Sequence, residues 1–145
     1  MKLSLQQRAY LAGFLDADGS IYVQAKKNQT YKFGYQIAPY IVFYQSSKSN
    51  LFQEVYKLIG FGHVRMRKDG VTEYIIGKKE DILNFIDIIS PYLILKKKQI
   101  MILKQILKQK ELVKNEEDFE TILQLCNSFQ DLNYSKKRKI RTLCP

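Results

Sequence analysis

The pattern of apolar and polar positions predicts two pairs of short strands, with helices before, between and after them. Residues 20–28 alternate strictly, with Ile21 and Val23 on one face, which is typical of a strand with one buried side. A second strand is predicted over residues 31–45, where Pro39 marks an edge position or a bulge because proline cannot donate a ladder hydrogen bond.

A second hairpin is predicted further along the chain. The dipeptide Asp69-Gly70 is a strong turn signal and joins two more predicted strands, residues 63–68 and 71–76. Alternation in the first of these predicts that Val64 and Met66 point inward and that the two arginines between and after them point outward. Two hairpins side by side would form one antiparallel sheet of four strands.

Helical spacing of apolar residues predicts the remaining elements. The first predicted helix starts at Leu5, and the second runs to about Ile59 after candidate caps at Ser46, Ser47 and Ser49. Three more predicted helices cover residues 81–89, about 96–109 and about 116–130. The order is therefore α-β-β-α-β-β-α with helices appended. We expect a mixed α+β fold in which helices cover one face of the sheet, since the apolar sides of the strands need a cover.

The first predicted helix delivers an acidic residue to its own C-terminal end. Ser4 and Gln7 have the spacing of a capping box, and Gly19 is expected to end the helix with a positive φ. Asp18 then lies where the helix dipole is negative, a poor place for a carboxylate unless a cation shares it. Small residues at four-residue spacing leave room for a second backbone to approach: Ala9, Gly13 and Ala17.

Composition narrows the class of partner. The chain has 145 residues, 46% of them hydrophobic, which predicts one folded domain, and its formal net charge of +10 indicates a polyanionic partner, nucleic acid before a membrane surface. No apolar run could span a bilayer and no signal-peptide core is visible, so secretion is not expected. Cys126 and Cys144 stand alone and His63 is the only histidine, which argues against a zinc site and a serine–histidine hydrolase.

The sheet face opposite the helices is expected to be rich in amide and guanidinium groups. Glutamine and asparagine can pair with adenine edges and arginine with guanine, and a curved ribbon of strands fits the major groove of DNA. The basic segment 135–141 at the end of the chain could contact phosphates. The polar residues assigned to this face are Gln24, Lys26, Asn28, Gln36, Arg65, Arg67 and Glu73.

The stretch LAGFLDADG at residues 11–19 resembles the LAGLIDADG motif of homing endonucleases. The likeness continues through NQTYKF at residues 28–33, Gln45, the R-x-R at residues 65–67 and PYLILKKKQ at residues 91–99, and it is strongest to the single-motif type encoded by organellar group I introns. The resemblance implies one LAGLIDADG domain over residues 1–145, with a saddle-shaped sheet in a core of about 4–110 and C-terminal helices and a basic tail beyond it.

The same resemblance implies an activity and the residues that carry it. The chain would be a site-specific homing endonuclease, a homodimer that makes a Mg²⁺-dependent double-strand break in a long pseudo-palindromic DNA site, with Mn²⁺ able to replace Mg²⁺. Asp18 and the backbone carbonyl of Ala17 would bind metal, Gln45 would position a metal-bound water, and Lys98 would stabilise charge on phosphate oxygens. One chain supplies one such carboxylate, which is why a symmetric pair is expected.

Two further sets of residues complete these expectations. The dimer interface would contain Ala9, Leu11, Ala12, Gly13, Asp16 and Ala17. The DNA contacts would be made by Gln24, Lys26, Asn28, Tyr31, Gln36, Ala38, Val42, Tyr44, Arg65, Arg67, Glu73, Ser135, Lys136 and Lys139.

The sequence departs from the family pattern in places, and other functions stay open. Ser49 stands where the group has a second basic residue, and the neighbouring Lys48 could replace it. Val42 and Ala38 stand where polar base-reading residues are usual, which predicts contacts with thymine methyl groups or weaker readout. An RNA-binding maturase, a DNA-binding regulator that does not cut and a plain basic interaction module are the alternatives. The excess of lysine over arginine, with much isoleucine and asparagine, hints at an organelle.

Overall fold

The helices and strands follow one another in the predicted order. The computed structural model describes residues 2–46 and 51–132. These ranges contain α1 (Leu5–Asp18), β1 (Gly19–Lys27), β2 (Tyr35–Ser46), α2 (Leu51–Ile59), β3 (His63–Met66), β4 (Val71–Ile76), α3 (Lys79–Ile89), a 3-10 turn (Ser90–Tyr92), α4 (Lys97–Leu112) and α5 (Glu116–Leu132). No helix in the described part of the chain is long and apolar enough to cross a membrane.

The four strands form one sheet in the order β1-β2-β4-β3. Strands β2 and β4 are antiparallel, with Ile41 opposite Ile76, and β3 and β4 are antiparallel, with Arg65 opposite Glu73. The predicted hairpin at residues 69–70 is confirmed, since the Arg67 N–H donates to the Val71 carbonyl at 2.8 Å. The α+β fold with a four-stranded antiparallel sheet is therefore confirmed.

Position in the sheet bears on two predictions about the strands. Strand β4 pairs with residues 41–46 of β2, so its ladder does not reach Pro39, and the edge position or bulge predicted there stays a prediction. The inward orientation predicted for Val64 and Met66 is wrong: they are 48% and 73% exposed. Their strand is at the edge of the sheet and has a neighbour on one side only.

The turn between β1 and β2 is longer than predicted. The Asn28 N–H donates to the Gly34 carbonyl at 2.9 Å, and the Thr30 N–H donates to the Asn28 side-chain oxygen at 3.0 Å. Gly34 adopts a φ of 78°, which only glycine reaches without strain. These bonds hold residues 28–34 in a turn, so β2 begins at Tyr35 instead of residue 31.

The ends of the helices agree with the sequence signals to within a few residues. At α5, the Asp118 N–H donates to the Asn115 side-chain oxygen at 2.8 Å, a side-chain cap at the start of the helix. Gly60 follows α2 with a φ of 81°. Of the serines considered as caps for α2, Ser46 ends β2, whereas Ser47 and Ser49 lie outside the described residues.

Two compact units divide the chain. Among the described residues, the first comprises 2–20, 40–46 and 51–97, and the second comprises 21–39 and 98–132. Strand β2 contributes residues to both. The single domain over residues 1–145 stays a prediction.

Aromatic rings fill the core of the first unit. The ring of Phe43 lies 4.9 Å from Phe14, 5.9 Å from Phe85 and 6.2 Å from Tyr74, measured between centroids. Leu15 on α1 has no exposed surface. The apolar side of α1 is thus seated on β2 and α3, as the spacing of its apolar residues predicts.

The second unit has its own buried contacts. The Phe33 and Phe119 rings stack with centroids 5.0 Å apart, and the Lys110 ammonium donates to the Ile37 carbonyl at 2.9 Å. Cys126 is fully buried, and burial raises the pKa of its thiol to about 12. Its thiol is therefore neutral at physiological pH and serves as an apolar core group.

Both ends of α1 can be explained from its sequence, but Gly19 acts differently from the expectation. The capping box is confirmed: the Gln7 N–H donates to Ser4 Oγ at 3.1 Å, and the Ser4 N–H donates to Gln7 Oε1 at 2.9 Å. Gly19 has a φ of −96°, so the predicted positive φ is wrong. Instead, a Cβ at this position would lie 2.8 Å from the Leu15 carbonyl oxygen, so glycine is required by close packing.

Gly19→Ala should therefore destabilise the fold by about 1–3 kcal/mol, since the added methyl group overpacks against α1. Urea unfolding of the two proteins measures the difference. Asn84→Ala, at an exposed position on α3, is the control. If Gly19→Ala and wild type have the same free energy of unfolding, the residues around position 19 accommodate a methyl group and the prediction is wrong.

Candidate active site and DNA-binding surface

The C-terminal end of α1 carries two carboxylates and no basic residue in its last turn. Asp18 is the last residue of the helix and is exposed. Asp16 is half-buried, and its carboxylate accepts three main-chain hydrogen bonds, from Ile94 at 2.8 Å, Leu95 at 3.1 Å and Lys96 at 3.0 Å. Of the two acids, Asp18 therefore presents its carboxylate to solvent, and Asp16 is committed to its own chain.

Lys96 brings a positive charge to this helix end. Its ammonium donates to the Asp16 carbonyl oxygen at 3.0 Å, two residues before Asp18 in the helix. A cation is favourable there because the carbonyls of the last turn point outward. Sequence reasoning missed Lys96, because nothing in the run of three lysines at residues 96–98 distinguishes it. The one signal was that the acidic C-terminal end of α1 has no basic residue of its own, so a cation from elsewhere in the chain was to be expected there.

The structure places Lys98 on the second unit. Its side chain is exposed on α4 and lines a groove between α4 and α5, with Met101 and Ile102 on its own helix and Asp131 and Leu132 on the other. The catalytic role assigned to Lys98 stays a prediction, whereas Lys96 is the lysine held at the end of α1.

Gln45 and Tyr44 lie near the end of β2 in the first unit. Gln45 is half-buried opposite Thr72 of β4, and Tyr44 is opposite Glu73. Burial, with a smaller contribution from Glu73, raises the pKa of the Tyr44 phenol, which is hydrogen-bonded to Ser20. Tyr44 is therefore a neutral hydrogen-bonding group at physiological pH. Lys48 and Ser49 lie outside the described residues.

The two arginines of the first unit are held by acidic neighbours. Arg65 Nε lies 2.8 Å from Glu73 Oε2, and Arg67 lies 3.7 Å from the other oxygen of Glu73 and 2.5 Å from Asp69 Oδ2. The side chains of Arg65 and Arg67 are 64% and 41% exposed, but that of Glu73 is only 9% exposed. Glu73 is thus placed to orient the two arginines, and its own predicted contact with DNA stays a prediction.

The second unit carries the other polar residues predicted to contact DNA. They lie on β1, on β2 and in the turn between them, where Lys26 and Tyr31 are exposed and Gln24, Asn28, Gln36 and Ala38 are half-buried. One oxygen of Asn28 accepts bonds from both the N–H and the hydroxyl of Thr30, which fixes the orientation of its amide. Ser135, Lys136 and Lys139 lie outside the described residues.

The small-residue stripe of α1 is open. Ala9, Gly13 and Ala17 are exposed, and a Cβ built on Gly13 meets nothing within 4 Å. Among the described residues, no group of three or more histidine, cysteine or acidic side chains could hold a metal ion.

Comparison with known proteins decides the family. The sequence model described as LAGLIDADG endonuclease matches residues 11–108. The chain belongs to this family. It is 37% identical over 134 residues to the DNA endonuclease I-CreI of Chlamydomonas reinhardtii, a match that spans 90% of the chain and 80% of the relative. It is 33% identical over 102 residues to the DNA endonuclease I-CvuI of Chlorella vulgaris, spanning 70% of the chain and 63% of the relative.

Solved structures of family members have the same fold. I-CvuI in complex with the I-CreI target in the presence of Mg matches with a TM-score of 0.86 and 30% identity, over 93% of this chain and 87% of that one. The archaeal intron-encoded I-Vdi141I complexed with DNA matches with a TM-score of 0.82 at 17% identity, which bears on the fold alone. The LAGLIDADG homing endonuclease fold and the assignment as a DNA endonuclease are confirmed.

Burial corrects the assignments of three residues, Val42, Leu11 and Ala12, that were made from the likeness to this family. Val42 has no exposed surface and is paired with the buried Ile75, so its predicted contact with DNA is wrong. Leu11 and Ala12 are likewise fully buried, so they support α1 from inside the chain and are not part of a dimer surface. The carboxylate of Asp16 bonds to residues 94–96 of its own chain, and its predicted place at the dimer interface stays a prediction.

Proposed function

We propose that two copies of this chain form a homodimer that makes a Mg²⁺-dependent double-strand break in a long pseudo-palindromic DNA site and so promotes homing of an organellar intron. One observation carries the proposal: α1 presents a single exposed carboxylate, Asp18, at the end of an open stripe of small residues. Relatives of the same family are DNA endonucleases from algae, and a basic chain suits a DNA substrate.

The surface offered to a second copy supports the dimer. Ala9, Gly13 and Ala17 allow two copies of α1 to approach closely, since no bulky side chain holds them apart. Ile94 and Leu95 are 77% and 71% exposed, and the bonds of their N–H groups to Asp16 hold them beside the end of α1. Apolar side chains of this size at the edge of an open helix surface are typical of a protein interface.

Divalent metal dependence follows from the donor set. The Asp18 carboxylate and the Ala17 carbonyl are the hard oxygen ligands that Mg²⁺ and Mn²⁺ prefer, and two symmetry-related pairs would supply what one chain lacks. A bound divalent cation supplies positive charge to the scissile phosphate and a lowered pKa to a bound water. The cation would be Mg²⁺, with Mn²⁺ able to replace it.

Other groups of the first unit would carry the remaining roles. Gln45 would orient a water molecule through its amide. Lys96 would stabilise negative charge on phosphate oxygens, the role first assigned to Lys98, since its ammonium lies at the end of α1. Arg65 and Arg67 would read bases, because Glu73 holds the two guanidinium groups on an exposed face.

Asp18→Asn should abolish cleavage while DNA binding persists. The change removes metal affinity and also removes repulsion between the carboxylate and phosphate, so cleavage should fall by about 1,000-fold or more. The measurement is cleavage of a plasmid library of randomised sites with Mg²⁺ or Mn²⁺, together with binding of the selected site in Ca²⁺. Asp87→Asn, an exposed acid on α3, is the control. Cleavage by Asp18→Asn at the wild-type rate would refute Asp18 as the metal ligand, and binding of RNA without cleavage of DNA would favour the maturase.

Gly13→Leu should convert the dimer into a monomer, because the new side chain would hold the two copies of α1 apart. Sedimentation at micromolar protein concentration, without DNA, measures the state of each protein. Leu83→Ala on α3 is the control for an exposed leucine outside the proposed interface. A wild-type chain that stays monomeric even on its DNA site would contradict the homodimer.

Arg67→Ala and Lys139→Ala should weaken DNA binding in different ways. Removal of the Arg67 guanidinium should relax preference at one or two base pairs and cost about 1–3 kcal/mol at those positions. Removal of the Lys139 charge should weaken all sequences alike and lower the salt slope by about one unit for each phosphate that this lysine neutralises in the wild-type complex. Binding to single-base variants of the site at two salt concentrations separates the effects. Equal, sequence-blind weakening by both variants would show that the sheet does not read bases.

A further inference from the structure

The segment that precedes α4 is attached to α1 by main-chain hydrogen bonds. Both oxygens of Asp16 are used, Oδ2 by the N–H groups of Ile94 and Leu95 and Oδ1 by that of Lys96. Three successive N–H groups that converge on one carboxylate form a small anion-binding concavity, and such a concavity fixes the backbone that builds it. Asp16 thus determines the path of residues 94–96.

Lys96 is held at two points. Its N–H donates to the Asp16 carboxylate at 3.0 Å, and its ammonium donates to the Asp16 carbonyl at 3.0 Å. A lysine side chain has four rotatable carbon segments and loses much rotamer freedom when its ammonium is fixed. Fixing the main chain of the same residue restricts where the ammonium can reach, so the two bonds support each other.

The charges at the C-terminal end of α1 explain why a fixed lysine is favourable there. Asp16 and Asp18 both lie where the dipole of α1 is negative, and the last turn of α1 has no basic residue of its own. Lys96 is the cation that the fold brings to this end from another part of the sequence. Without the bend at residues 94–96, the bond of the Lys96 ammonium to the Asp16 carbonyl would lose the main-chain anchor that supports it.

We propose that Asp16 is a positioning residue, whose carboxylate fixes the bend at residues 94–96 so that the Lys96 ammonium stays beside the metal-binding end of α1. This inference rests on the proposed function for the meaning of that end of the helix. The contacts that carry it are those of Asp16 and Lys96 themselves. Asp16 acts through Lys96 and touches neither metal nor DNA.

The placement of Lys96 can be measured without cleavage. In Asp16→Asn one anionic acceptor becomes an amide of the same shape, so amide hydrogen exchange at residues 94–96 should become faster by about tenfold or more, while exchange in the cores of α1 and β4 stays at the wild-type rate. Acylation of the Lys96 amine, read by mass spectrometry, should also become faster. Asp87→Asn should match wild type in both measurements. Unchanged exchange and acylation in Asp16→Asn would overturn the proposal.

A double-mutant cycle then separates positioning from general stability. Asp16→Asn and Lys96→Met should each slow single-turnover cleavage of the selected DNA site by about 10- to 100-fold at unchanged binding affinity, because a displaced charge no longer meets the phosphate. The double variant should be no slower than Lys96→Met alone. If the two reductions in rate multiply instead, Asp16 does not act through Lys96 and the proposal is wrong.

The two proposals fail in different ways. A wild-type protein that cuts no DNA with Mg²⁺ or Mn²⁺ overturns the proposed function, and the exchange and acylation measurements still decide whether Asp16 places Lys96. A wild-type protein that cuts, with Asp16→Asn cutting equally fast, overturns the role of Asp16 and leaves the endonuclease intact.

Discussion

Everything at the candidate active site depends on placing an acid at the negative end of a helix. Asp18 ends α1, where unpaired carbonyls already repel a carboxylate. At Asp16 the fold itself stabilises the negative charge, because three N–H groups donate to the carboxylate and the Lys96 ammonium donates to the main-chain carbonyl. At Asp18 the carboxylate is left exposed, so the favourable partner that remains for it is a cation from solution.

The partners of each carboxylate separate the acids that organise the protein from the acid that is proposed to bind metal. The oxygens of Asp16 and Glu73 both bind groups of the same chain. Asp16 accepts hydrogen bonds from the bend at residues 94–96, and Glu73 forms ion pairs with Arg65 and Arg67. Both lie within a few residues of groups assigned to metal or DNA. A carboxylate satisfied in this way holds other groups in place, because protein hydrogen bonds already occupy its lone pairs. Proximity in sequence to a motif is therefore a weaker guide to role than the partner of each oxygen.

Local signals predicted what local interactions determine. The capping box at Ser4 and the turn at Gly70 are contacts within a few residues, so sequence spacing alone reveals them. The bond from Lys96 to Asp16 joins positions 80 residues apart, and no pattern of apolar residues encodes it. The DNA contact predicted for Val42 is wrong for a related reason: residues 41–43 are all buried, since β2 is an inner strand covered on both faces there, and alternation cannot predict that cover.

The proposed dimer also links assembly to metal binding. A two-fold contact between copies of α1 is isologous, so each small residue of the stripe meets the same surface on the partner and the two Asp18 carboxylates are drawn toward one another. Like charges a few ångströms apart repel, and the repulsion grows as water is excluded. A divalent cation held by these carboxylates would offset that repulsion, and the Lys96 of each chain would reduce it before the metal binds. The charge that would make the bare dimer unfavourable at its centre is thus the same charge that would hold the metal when DNA is bound.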